Sequence, residues 1–215
     1  MSRRSYDASR RRTAAAQNQA RVVEAATRLM VARGYASTTI ADVAETAGVS
    51  VPLVYAAFGN KAGLLKRVLD ATIVGDADPI ALRDRPEVAE VRAARSARRQ
   101  CALTARVIAG VQARMAEFFA VLRDAAGTDP EVAVLVARQD DGRRAGMGEF
   151  VSVLSASGHL CTGLDPERAA DAVWALTDPA MYHRLVAQRG WTREEYEQWL
   201  GDAIYNAVSA RTTRR

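Results

Sequence analysis

Apolar residues recur at helical spacing from Val22 onward, and single glycines or polar caps cut the pattern into short pieces. Val22, Val23, Ala26, Leu29 and Met30 form one face, which Gly34 is placed to end. Ile40, Val43, Ala44 and Ala47 form the next, with Thr39 in the N-cap position and Gly48 at the stop. Ser50 is set to cap a third helix with Pro52 in its first turn, where a missing N–H costs no hydrogen bond. Asn60 is set to cap a fourth, which carries Leu64, Leu65, Val68 and Leu69. The polar stretch "GDADPIALRDRPE" after Gly75 then breaks the periodicity and marks a boundary.

Beyond it, long helical tracts are predicted from about Pro86 to Ala126 and from Pro130 to about Ala156. Asp140 and Asp141 beside "GRR" predict a solvated end or break in the second tract. Asp165-Pro166 opens a helix holding Trp174, and Asp178-Pro179 opens a shorter one ending at Gly190. Thr192-x-x-Glu195 is a capping box leading into a last helix through Val208. No segment alternates with a period of two, so the fold class is all-α, with about nine helices.

Charge divides the chain where the pattern does. The net charge is +5, but residues 1–74 hold 11 Lys/Arg against 5 Asp/Glu and residues 75–215 hold 19 against 20. A basic head on a near-neutral body suits a polyanion-binding module joined to a part with another task, although an acidic membrane surface would accept such a head as well. The expected organisation is a basic flexible arm (1–15), a helix-turn-helix domain (16–74) and a helical ligand-binding and dimerisation domain (75–215). Cys101 and Cys161 form no CxxC pair, which argues against a disulfide framework or structural zinc and for a reducing, cytoplasmic location. No apolar run approaches the ~20 residues that cross a bilayer, and the basic N-terminus precedes no apolar signal core. No phosphate-binding glycine loop, metal-ligand cluster or nucleophile motif points to an enzyme, a cofactor or a metal. His159-x-Cys161 is too sparse to hold one.

A two-turn helix, a glycine corner and a second short helix over residues 39–58 match a helix-turn-helix, whose second helix enters the major groove. Within that second helix Leu53 or Val54 and Phe58 are expected to point inward, with Val51, Pro52 and Tyr55 outward. The whole stretch "ARVVEAATRLMVARGYASTTIADVAETAGVSVPLVYAAFGNKAGLLKRVL" resembles the DNA-binding domain of the TetR family of transcriptional regulators. The resemblance covers about fifty residues with glycines, caps and aromatics in register. It implies a homodimer whose recognition helices enter successive major grooves of a pseudo-palindromic double-stranded operator. It also implies phosphate contacts from Thr38 and Thr39 at the start of one helix, from Tyr55, and from Lys61. Ser50, Val51, Pro52, Leu53 and Ala56 would then approach bases or backbone. Relatives often carry lysine where Val51 stands and an aromatic or histidine at Ala56 and Ala57, so apolar contact with thymine methyls is the readout left to Val51 and Pro52. Arg10, Arg11 and Arg12 are either a backbone-tracking arm or a solvated tail.

The body offers less. By the resemblance, residues 166–177 and 193–208, the last long helices, pair across the dimer twofold; Trp174, Trp199, Ile204 and Val208 are interface anchors or intramolecular core. Met115, Phe118, Phe119, Leu122, Met147, Phe150, Val151, Trp174 and Tyr182 are expected either to enclose a small apolar effector or to fill the core. His159 and His183 are the other polar candidates in this region. The function implied is a repressor released from its operator by a small hydrophobic ligand. The alternative is an activator, or a ligand-independent regulator acting through a protein partner.

Overall fold

The computed structural model describes residues 3–75 and 82–209, without the side chains of residues 3–12. The helices are α1 (Arg3–Arg33), α2 (Ile40–Ala47), α3 (Val51–Phe58), α4 (Lys61–Val74), α5 (Pro86–Ala93), α6 (Ala97–Ala126), α7 (Pro130–Ala156), α8 (Pro166–Leu176), α9 (Pro179–Tyr182) and α10 (Arg193–Val208). A 3-10 turn at Leu82–Asp84 precedes α5, and a π-helical turn, His183–Gln188, continues α9. The all-α expectation holds.

Two compact units divide the chain. One runs through α4 and adds Glu117–Val136; the other holds the remainder of α6 and α7 with α5 and everything after. The turn between α6 and α7 therefore packs with the N-terminal head, although residues 75–215 were expected to form a separate domain. In the head, Val22, Ala26 and Met30 of α1, Val43 of α2, Val54 of α3 and Leu64, Leu65 and Val68 of α4 all have no exposed surface, and α1 packs against α2, α3 and α4. In the body, Ala169, Ala170 and Val173 of α8 join Tyr196, Leu200, Ile204 and Val208 of α10 in one apolar cluster. There α10 passes so close to α6 that a Cβ on Gly201 would lie 3.3 Å from the Cα of Ala102. Ile204 and Val208 are thus core of their own chain.

Three expectations need correction. The tract from Pro86 to Ala126 is two helices, because Ala94 turns extended (ψ 136°) and the Ser96 hydroxyl caps the Arg99 N–H at 3.3 Å. Asp140 and Asp141 lie inside α7, which continues unbroken through them. Residues 3–15 of the expected flexible arm are helical and open α1; the side chains of Arg10, Arg11 and Arg12 lie outside the described residues.

Candidate nucleic-acid interface

The helix-turn-helix is built by local chemistry. The Thr39 hydroxyl accepts from the Asp42 N–H at 3.1 Å, and the Asp42 carboxylate accepts from the Thr39 N–H at 2.9 Å. This reciprocal capping box satisfies two donors that the first turn of α2 would otherwise leave bare. At the other end Gly48 adopts φ 64° and ψ 41°, a left-handed conformation that costs glycine little, and the chain bends by 109° between α2 and α3. That angle falls in the range of a helix-turn-helix.

In α3, Val54 is the inward residue of the pair considered, fully buried, while Leu53 and Phe58 are half-buried. Pro52, Ala56 and Tyr55 face solvent, the last with 50% of its surface exposed. Ser50 occupies the N-cap position, yet its side chain makes no capping bond. Val51 is half-buried, so its contribution to the outer face is partial. The outward face of α3 therefore offers one phenol and an apolar first turn, beside the exposed Ser50.

The start of α4 adds a cation. Asn60 caps the helix through Oδ1, which accepts from the Gly63 N–H at 2.8 Å. The next residue, Lys61, donates from Nζ to the Ala36 carbonyl at 3.2 Å and rests over the Tyr35 ring, 4.2 Å from its centroid. Burial lowers the Lys61 pKa from its ordinary value, and the nearby Asp129 carboxylate opposes that shift.

The two threonines depart from expectation. Thr38 is buried, and its hydroxyl donates back to the Gly34 carbonyl at 2.9 Å, so that side chain faces no phosphate. Thr39 is exposed, but its hydroxyl and N–H are both engaged by Asp42. Asp42 is held below the ordinary carboxylate range, first by the Thr39 hydroxyl and then by the Thr39 N–H. Its negative charge sits where an anion would otherwise dock on the α2 terminus. Asp42 could have been found from the sequence, as the acidic residue three after a threonine cap.

The residues expected to enclose a ligand fall in both units. Phe118, Phe119 and Leu122 belong to the unit of the head; Met115, Met147, Phe150, Val151, Trp174 and Tyr182 belong to the body. Met147, Phe150, Val151 and Tyr182 are part of the packed body cluster, with Trp174 against it. Two open concavities of the described residues lie elsewhere, one bordered by Glu24, Arg28 and Val31 and the other by Trp191, Trp199 and Asp202. Trp174 has a polar role: Nε1 donates to Asp140 at 3.1 Å, and the Arg143 guanidinium lies 5.1 Å from its ring. Of the two histidines, His159 pairs through Nδ1 with the buried Gln100 at 2.7 Å.

Comparison with known proteins bears on the head first. Residues 22–68 match the sequence pattern of the bacterial regulatory proteins of the tetR family. The HTH-type transcriptional regulator TtgR of Pseudomonas putida is 46% identical over 57 residues, 26% of this chain and 27% of that protein. The HTH-type transcriptional repressor BdcR of Escherichia coli (strain K12) is 40% identical over 70 residues, 32% of this chain and 36% of that protein. The chain thus spans only about a quarter to a third of the length of these curated relatives. The fold matches over a longer stretch: the fatty acid degradation regulator FadR from Bacillus halodurans superposes with a TM-score of 0.70 at 14% identity, over 90% of this chain and 97% of that one.

Proposed function

We propose that this chain, whose residues 22–68 match the tetR family of bacterial regulatory proteins, is a DNA-binding regulator of transcription. One observation carries the proposal: α3 stands out from the head with Val54 as its buried anchor and Pro52, Tyr55 and Ala56 facing outward. A short helix held on one side by its core and bare on the other is what a major groove accommodates. Tyr55 and Lys61 supply phosphate contacts, which fix register, and Ser50 with the first turn of α3 supplies the approach to base edges. Because that turn carries Val51 and Pro52 in place of long polar side chains, its readout relies on apolar contact with thymine methyls.

The finer reading is a homodimeric repressor acting on a pseudo-palindromic site, with α8 and α10 pairing across the twofold and a small apolar effector favouring release. Half-buried Trp174 and Trp199 on those helices support the interface. The neutral charge balance of residues 75–215 is in keeping with a part that does not bind DNA. If an effector lowers DNA affinity, DNA must lower effector affinity by the same factor.

A gel-shift assay with the DNA flanking the protein's own gene, with and without a library of hydrophobic compounds, tests this. A retarded complex that survives excess random-sequence competitor and is dissolved by some compounds supports the full reading. Equal competition by random DNA removes sequence-specific binding. Specific binding that no compound alters leaves a regulator and removes the effector.

A further inference from the structure

Tyr35, two residues past the end of α1, and Asp129, the residue that caps α7, are joined. Tyr35 is 7% exposed, and its hydroxyl donates to Oδ2 of Asp129 at 2.8 Å, across 94 positions of sequence. The other oxygen, Oδ1 of Asp129, accepts from the N–H groups of Glu131 (2.9 Å) and Val132 (3.4 Å) at the start of α7. A single carboxylate therefore begins a helix and holds a phenol. A second link runs parallel to it: Nδ2 of Asn60, the cap of α4, donates to the Glu131 carboxylate at 2.8 Å. The cap of α4 is thus tied to the opening of α7.

The Tyr35 ring is also the platform for Lys61, whose ammonium lies over its face and bonds the adjacent Ala36 carbonyl. An ammonium has three donors; one goes to Ala36, and the ring attracts the charge without consuming the others. The flexible stem of lysine loses much of its rotamer freedom when bound this way, before any phosphate arrives. Asp129 does not neutralise the cation as a plain ion-pair partner would. Its two oxygens serve three donors, and the phenol bond is the first cause holding its pKa below the ordinary carboxylate range.

We propose that Tyr35 and Asp129 are positioning residues for DNA binding: Asp129 fixes the Tyr35 ring, and the ring with the Ala36 carbonyl presents the Lys61 ammonium to a phosphate. This rests on the reading that Lys61 contacts DNA. It adds that the turn opening α7, which touches no DNA in that reading, helps to set the contact.

The test uses the full chain and a duplex enriched from a random DNA library by the wild-type protein, with affinity measured across a salt series. Tyr35→Phe keeps the ring and the α7 cap but removes the hydroxyl. It is expected to weaken binding about three- to tenfold and to move the salt slope toward that of Lys61→Ala, which loses about 0.9 for one phosphate contact. In a Lys61→Ala background, Tyr35→Phe should have no further effect on binding. Asp129→Asn should stay within about twofold of wild type, since its oxygen still caps α7 and its amide can donate to the Tyr35 hydroxyl. Thermal melting of each variant checks that the fold is intact. Wild-type affinity and slope in Tyr35→Phe would overturn the proposal, as would an equal loss with and without Lys61. If Lys61→Ala itself binds like wild type, the Lys61 contact falls and this inference with it. If Lys61→Ala is weak and Tyr35→Phe is not, only the positioning role falls.

Discussion

The interior of the head is mostly aliphatic. Val22, Ala26, Met30, Val43, Val54, Leu64, Leu65 and Val68 fill much of it; Phe118 and Tyr35 add two rings, and the Thr38 and Tyr35 hydroxyls are the polar groups described there, bonded to Gly34 and Asp129. The body encloses Phe150, Tyr182 and Tyr196 together with Gln100, Thr104, Gln112, Thr177 and Ser209. In the head, then, most polar groups are left outside, at helix ends and on the outer face of α3, where a partner can use them. In the body several are taken inside, where each needs a neighbour: Gln112 donates to the Thr177 carbonyl at 2.9 Å, and Gln100 pairs with His159. The lesson is that surface substitutions in the head should be read out as DNA affinity, and interior substitutions in the body as stability.

The largest test of that division is Tyr196→Ala. The ring is fully buried and meets Tyr182 edge-on at 4.9 Å, so its loss should cost about 3–5 kcal/mol in chemical denaturation. At a temperature where the variant is still folded, DNA affinity should change little. Gly48→Val comes next. A side chain at φ 64° is strained, by about 1–2 kcal/mol and more for a β-branched residue, and the α2–α3 corner would have to shift. DNA binding should fall by more than the melting temperature would suggest, and an equal fall in both would blur the comparison. Thr39→Ala removes a capping hydroxyl at a cost of about 1 kcal/mol, seen as a lower melting temperature for the head.

These sites also mark how much the sequence could disclose. Thr39, Gly48, Asn60 and Thr192 were legible because caps and corners act over three or four residues. The break at 94–96 was not, since "VRAARSARRQ" is rich in good helix formers and only Ser96 signals a new start. Thr38 was misassigned because a resemblance supplies a position and not a side-chain direction; the hydroxyl turns inward to Gly34. The Tyr35–Asp129 link could not be foreseen from two residues so far apart. Periodicity likewise placed Phe150, Val151 and Tyr182 inside the body without saying whether they face a ligand or one another.

A smaller effect concerns pH. Asp42 and Asp129, both in the head unit, have folded pKa values below those of an unfolded chain, set first by the Thr39 and Tyr35 hydroxyls. Their contribution is present above the ordinary carboxylate range and is lost as pH falls through it toward the depressed folded values. Acid titration followed by melting should show this loss, and Asp42→Asn should flatten it. The smallest effect is expected for Arg98→Ala in the body: the Arg98–Asp202 pair (2.8 Å) is solvent-exposed, and removing it should change stability by under about 1 kcal/mol.

The central claim, that the outer face of α3 reads a DNA sequence, is tested most directly by selecting binding sites from a random duplex library with the full chain. The account predicts enrichment of a two-fold symmetric site, with half-sites about one helical turn apart or a multiple of it, and a changed consensus when Val51 and Pro52 are replaced. Recovery of no enriched sequence, or an unchanged consensus in those variants, would contradict it.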